Sequence, residues 1–79
     1  MVTHAQLKTT ISEFLRVPTE KLSDDTLLTD AVNESFILVE MVMFLQDEYR
    51  VRIIQSDLHE VRTVGELIDV FVAKSQQGK

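Results

Sequence analysis

Residues 33 to 49 read Asn-Glu-Ser-Phe-Ile-Leu-Val-Glu-Met-Val-Met-Phe-Leu-Gln-Asp-Glu-Tyr, and no other stretch constrains the fold as strongly. At helical pitch, Leu38, Met41, Val42, Leu45 and Tyr49 fall on one arc, the i, i+3, i+4, i+7 spacing of a core-facing stripe. The opposite arc carries Phe36, Val39 and Met43 interleaved with Glu40 and Asp47. One small core cannot cover both sides. The second stripe is therefore expected to lie under another small element or to be offered to partners, because contiguous exposed apolar surface marks binding sites.

With 79 residues the chain has the length of one small domain, 1–79, that can bury only a modest share of its surface. It has no cysteine, which excludes a disulfide framework, a thiolate zinc site and a cysteine nucleophile, and suits a reducing compartment. No segment approaches the roughly 18 consecutive apolar residues of a membrane span, and no basic-then-apolar signal pattern opens the chain. A cytoplasmic monomer is expected.

The net charge is −5, and it is unevenly spread. Between Thr19 and Tyr49 lie eight of the 13 acids, Glu20, Asp24, Asp25, Asp30, Glu34, Glu40, Asp47 and Glu48, against one of the 8 bases, Lys21. This balance argues against nucleic acid as a partner, since phosphate contacts need clustered Lys and Arg. A charge run is often only a solvated face. Beside an apolar stripe it also suits steering towards basic partners.

Thr3-His4-Ala5-Gln6 forms a Thr-x-x-Gln capping box, so a first helix is expected from about His4 to Arg16. Leu7, Ile11, Phe14 and Leu15 give its apolar stripe, and Pro18 stops it by disfavouring helical geometry at Val17. Residues 17 to 33 hold turn formers around isolated apolar residues, which predicts a long ordered loop pinned by Leu22, Leu27 and Leu28, with one helical turn near Pro18 to Lys21. Arg50-Val51-Arg52-Ile53-Ile54 alternates like a strand. It is read as a connector, because a lone strand leaves its backbone groups unpaired. Ser56 is expected to cap a short helix through about Val61, with Leu58 and Val61 turned inward. Thr63-Val64-Gly65-Glu66 is a second capping box, and Leu67, Ile68, Phe71 and Val72 form the apolar face of a last helix, with fraying expected from Ser75 onward. The fold class is thus all-α: three main helices and one short helix, with a long loop between helices one and two.

Groups suited to catalysis are few. His4 and His59 are far apart and neither has a partner pattern for acid–base or metal work, and with only Gly65 and Gly78 there is no phosphate-cradling loop. An enzyme is not expected. Ser35 stands apart: at the mouth of the central helix, free backbone N–H groups favour a bound or attached phosphate. The alternative for Ser35 is a plain helix cap.

The order of helix, acidic loop, acid–Ser–apolar, short helix and final helix resembles the acyl carrier proteins. Glu34-Ser35-Phe36 is similar to the family's Asp-Ser-Leu, Val39-Glu40-Met41-Val42-Met43 to its Val-Glu-Leu-Val-Met, and Arg62-Thr63-Val64-Gly65-Glu66-Leu67-Ile68-Asp69 to its Thr-Thr-Val-Gly-Asp-Ala-Ile-Asp. The likeness covers nearly the whole chain. It implies that a phosphopantetheinyl transferase attaches 4′-phosphopantetheine from coenzyme A to Ser35, and that the arm's thiol carries acyl groups between acyl-transferring and ketosynthase-type enzymes with basic docking surfaces. Glu34, Phe36, Val39, Glu40, Met43, Asp47 and Glu48 would form the docking face. The competing reading is an unmodified carrier-like helical interaction module.

Departures from the family pattern are also legible. Ala31-Val32-Asn33 stands where the family commonly has Leu-Gly-x, and a β-branched valine does not readily take the φ > 0 geometry open to glycine. Ile37 replaces a common acid and Phe44 a common small residue. These two residues point to a specialised pathway, such as polyketide or unusual-lipid synthesis, while Glu34 for Asp and Phe36 for Leu bear on which transferase accepts the site.

Overall fold

Local hydrogen bonding starts the first helix where the sequence places it. In the computed structural model, which describes residues 2–32 and 34–77, the Gln6 N–H donates to Thr3 Oγ1 and the Thr3 N–H to Gln6 Oε1, both at 3.1 Å. Helix α1 spans His4–Leu15. It ends one residue earlier than expected because Arg16 adopts the left-handed conformation, φ 59°. The amides of Arg16 and Val17 then turn back to the carbonyls of Glu13 and Ser12, and Pro18 follows.

Residues 17–32 of the long loop are ordered, and its predicted turn is a 3₁₀ turn at Thr19–Lys21. Leu22 and Leu28 are buried anchors, whereas Leu27 is exposed. The reason is backbone pairing. Leu27 forms an isolated antiparallel bridge with Thr63, flanked by the Leu28 N–H on the Arg62 carbonyl at 2.8 Å and the Val64 N–H on the Thr26 carbonyl at 2.9 Å. Successive side chains of an extended segment point to opposite sides, so burying Leu28 turns Leu27 out. The same fixing of Leu28 starts a four-residue helix, α2, Leu28–Ala31. Among the described residues, two short α-helices therefore accompany the three main ones, where the sequence pattern suggested one.

Helix α3, Ser35–Tyr49, turns Met41, Val42 and Leu45 into the core, with Leu38 and Tyr49 half-buried at the ends of the same stripe. The Tyr49 hydroxyl meets that of Thr10 and lies 3.3 Å from the Gln6 carbonyl, which satisfies its polar end. Arg50 closes α3, again left-handed at φ 56°. Residues 50 to 54 form a connector, as expected. Val51 and Ile53 are buried while Arg52 and Ile54 are exposed, and the Ile53 N–H is taken by Gln46 Oε1 at 2.9 Å. A side chain of α3 thus supplies what a strand partner would.

Helix α4, Gln55–Leu58, is shorter than the sequence suggested, and Ser56 lies inside it. Its opening amide, Ile54 N–H, is satisfied instead by Asp57 Oδ2 at 3.0 Å. Leu58 and Val61 pack against the core as expected. The second capping box is intact: the Glu66 N–H donates to Thr63 Oγ1 at 3.1 Å, and Glu66 Oε1 accepts from Thr63 at 3.2 Å and Arg62 at 2.7 Å. Helix α5 spans Val64–Gln77. The helix thus continues past Ser75, whose Oγ donates to the Val72 carbonyl at 2.8 Å; Gly78 and Lys79 lie outside the described residues.

Leu7 and Ile11 of α1, Met41 and Leu45 of α3, and Leu67, Ile68 and Phe71 of α5 are fully buried, and no polar side chain among the described residues is buried with them. No helix among those residues is long and apolar enough to cross a membrane.

Candidate functional site

The chain approaches α3 in extended form. Val32 is buried at φ −126°, ψ 117°, so a valine here needs no left-handed geometry, and the approach is built on a β-region residue that suits its branched side chain. Asn33 lies outside the described residues. Glu34, also extended at φ −129°, ψ 137°, occupies the N-cap position, and its side chain makes no capping hydrogen bond; nor does any other side chain among the described residues. Ser35 is the first helical residue and is exposed. Its hydroxyl is not a cap. The amides of Ile37 and Leu38 return to the Glu34 carbonyl, and the Ser35 and Phe36 amides, without a partner among the described residues, stand at the positive end of a 15-residue helix, which favours an anion.

Along the outer side of α3, the Phe36, Val39 and Met43 side chains are 57%, 56% and 62% exposed, and Glu34, Glu40, Asp47 and Glu48 are exposed around them. The residues expected to form a docking face are thus exposed on α3 or, for Glu34, at its N-cap. None of these acids is in an ion pair among the described residues.

One feature escaped the sequence reading. Leu28, Leu38, Val42, Leu58, Val61 and Leu67 line a half-open apolar pocket of about 50 Å³ between α2, α3, the segment from α4 to α5, and α5. In sequence these residues are indistinguishable from core. Only their assembly from four segments leaves the space.

His4 has an unforeseen neighbour: Asp24 Oδ1 lies 3.3 Å from its Nε2, with Lys8 Nζ 3.9 Å from the same oxygen. The loop brings that carboxylate to α1 across 20 residues of sequence. His59 is exposed. Two carboxyls are held below the usual range, both by caps away from Ser35. Asp57 is lowered chiefly by the Ile54 amide, aided by Lys74 at 3.2 Å, and Glu66 by the amides of Arg62 and Thr63. They hold helices rather than perform chemistry.

A family model described as a phosphopantetheine attachment site matches residues 5–71. The chain belongs to the acyl carrier protein family. It is similar to the acyl carrier protein of Thermotoga maritima, 30% identical over 71 residues that cover 89% of this chain and 88% of the relative. It is also similar to that of Saccharopolyspora erythraea, 32% over 66 residues covering 82% and 70%, and to that of Buchnera aphidicola, 29% over 73 residues covering 91% and 92%. As a carrier it is not an enzyme, and its prosthetic group is a covalently attached phosphopantetheine. The residues present fit that group: an exposed hydroxyl on the first residue of a long helix suits a phosphodiester. When attached, the group supplies the thiol that holds acyl chains as thioesters.

Proposed function

We propose that Ser35 is the attachment point, and that this carrier holds acyl intermediates on phosphopantetheine there during polyketide or specialised lipid biosynthesis in the cytoplasm. The observation that carries the reading is the exposed Ser35 hydroxyl, free of a capping role at the open end of α3. A transferase would join the phosphopantetheine phosphorus of coenzyme A to Ser35 Oγ, which loses its proton as the nucleotide leaves. The chain contributes position and access to this step. Glu34, Glu40, Asp47 and Glu48 steer the carrier to basic surfaces of the transferase and of acyl-transferring and ketosynthase-type enzymes, while Phe36, Val39 and Met43 supply apolar contact, and the carrier acts as a monomer.

The specialised pathway is supported by the residues that depart from the family pattern. Phe44, where a small residue is common, puts an aromatic ring on the outer side of α3 with its centroid 5.4 Å from that of Phe14. Ile37 removes an acid from the first turn. Both alter the surface that partner enzymes meet.

Mass spectrometry after incubation with coenzyme A and a broad-specificity transferase tests the assignment. Wild type should gain one phosphopantetheine and Ser35→Ala none. A wild type left unmodified by several transferases would support the unmodified interaction module instead.

A further inference from the structure

The outer side of α3 does not end in acid. Glu40, Met43, Phe44 and Asp47 follow the i, i+3, i+4, i+7 spacing along it, and beyond them the chain returns through Arg50 and Arg52. These residues line an open groove of about 700 Å³. Met43 and Phe44, 62% and 41% exposed, form its apolar part. The Phe44 ring is steadied by Phe14.

The backbone that carries both arginines is held in place. The amides of Arg50 and Val51 return to the Gln46 carbonyl, and the Ile53 amide is held by the Gln46 side chain. Burial of Val51 and Ile53 leaves Arg52 exposed between them. Arg50 occupies a left-handed conformation that glycine would take without penalty. A cation at this helix end suits the dipole, but that does not account for Arg52. Among the described residues none of Glu40, Asp47, Arg50 and Arg52 is in an ion pair. Along the groove Glu40 precedes the apolar patch, and Asp47, Arg50 and Arg52 follow it, so the far end carries two bases against one acid, with no ion pair between them among the described residues.

We propose that this groove receives a partner element in which an apolar side chain sits between a basic and an acidic residue, the base meeting Glu40 and the acid meeting Arg50 and Arg52, which outnumber the neighbouring Asp47. This rests on the reading of α3's outer side as the carrier's docking face, and it names the charge pattern of the partner. An all-basic element would meet repulsion at Arg50 and Arg52, so the two arginines fix the direction of docking and reject partners that carry positive charge at both ends.

Three stapled helical peptides with a shared Leu-x-x-Leu centre test this, one with Lys at one end and Glu at the other, one with Lys at both and one with Glu at both. They are titrated into the isotope-labelled protein while the amides of Met43, Phe44, Arg50 and Arg52 are followed by NMR. The mixed peptide should bind about threefold to tenfold tighter than the all-Lys peptide, the range expected for two rim charge pairs. Arg50→Glu/Arg52→Glu should reverse that ranking. Arg50→Gly/Arg52→Gln, in which glycine suits the left-handed turn, should abolish the preference without unfolding the chain, and Arg16→Gly, at the other left-handed helix end, should leave it intact. The proposal is overturned if the all-Lys peptide binds wild type as tightly as the mixed one, if the double variants keep the wild-type ranking, or if no peptide binds the groove. Phosphopantetheinylation of Ser35 is scored separately on wild type and both double variants, so failure of the carrier reading is distinguishable from failure of the charge pattern.

Discussion

The backbone N–H of Gly65 donates to the Asp24 carbonyl at 3.0 Å, and a Cβ placed on Gly65 would lie 2.8 Å from Asp24 Cβ and 2.9 Å from that carbonyl oxygen. Gly65 has no positive φ, so glycine is required here for close approach and not for an unusual turn. It joins the first turn of α5 to the acidic loop. Through His4 and Lys8, Asp24 also reaches α1.

Gly65→Ala should therefore destabilise the fold by about 1–3 kcal/mol, since the obstructing atoms are largely backbone and cannot swing aside. Urea unfolding measures the loss. Hydrogen exchange should show the amides of Val64, Gly65 and Leu28 opening first, and an alanine variant with wild-type stability would mean the two backbones can separate freely.

Leu45 is fully buried on α3 among the side chains of α1 and α5. Leu45→Ala removes three carbons from the centre of the core and should cost about 2–5 kcal/mol. A shift in thermal and urea unfolding below a quarter of that would contradict the assignment of α3's buried face.

Thr63 Oγ1 accepts the Glu66 amide at 3.1 Å. Thr63→Ala should lower stability by about 1 kcal/mol through loss of the α5 cap. Circular dichroism melts would register it, and Thr63→Ser should restore most of the loss.

The Glu66 carboxyl lies below its ordinary value of 4.5, first because of the Arg62 amide and then that of Thr63. Its folded value is depressed, so its contribution to stability is fully present above the unfolded value and is lost as pH falls through the folded one. Urea midpoints should decline below about pH 4.5 in wild type, and Glu66→Gln should show a shallower decline together with lower stability at pH 7. Parallel pH profiles for the two proteins would remove Glu66 from the acid transition.

Glu40→Lys and Asp47→Lys should slow association with a basic transferase or ketosynthase, strongly at low salt and less above roughly 0.15 M, where the Debye length is about 8 Å. Met43→Ala should instead speed dissociation with little salt dependence, because it removes apolar contact and leaves the field intact. Glu13→Lys on α1 is the control. Equal slowing by Glu13→Lys in stopped-flow measurements would assign the effect to total charge and end the case for a specific docking face.

Periodicity and capping chemistry are local, acting over three or four residues, so the sequence by itself determined the three main helices. The Thr3–Gln6 and Thr63–Glu66 boxes start α1 and α5 where the letters place them, and the two stripes of α3 divide into buried Met41, Val42 and Leu45 and exposed Phe36, Val39 and Met43. Ser35 at the head of an apolar helix was legible for the same reason. Tertiary structure decided what depends on segments distant along the chain. Pairing with Thr63 turned Leu27 outward and wound Leu28–Ala31 into a helix, and the return of the loop set Asp24 against both His4 and Gly65. The apolar pocket beside α3 likewise exists only once separate segments pack, because no spacing along a single helix encodes the gap between neighbouring elements.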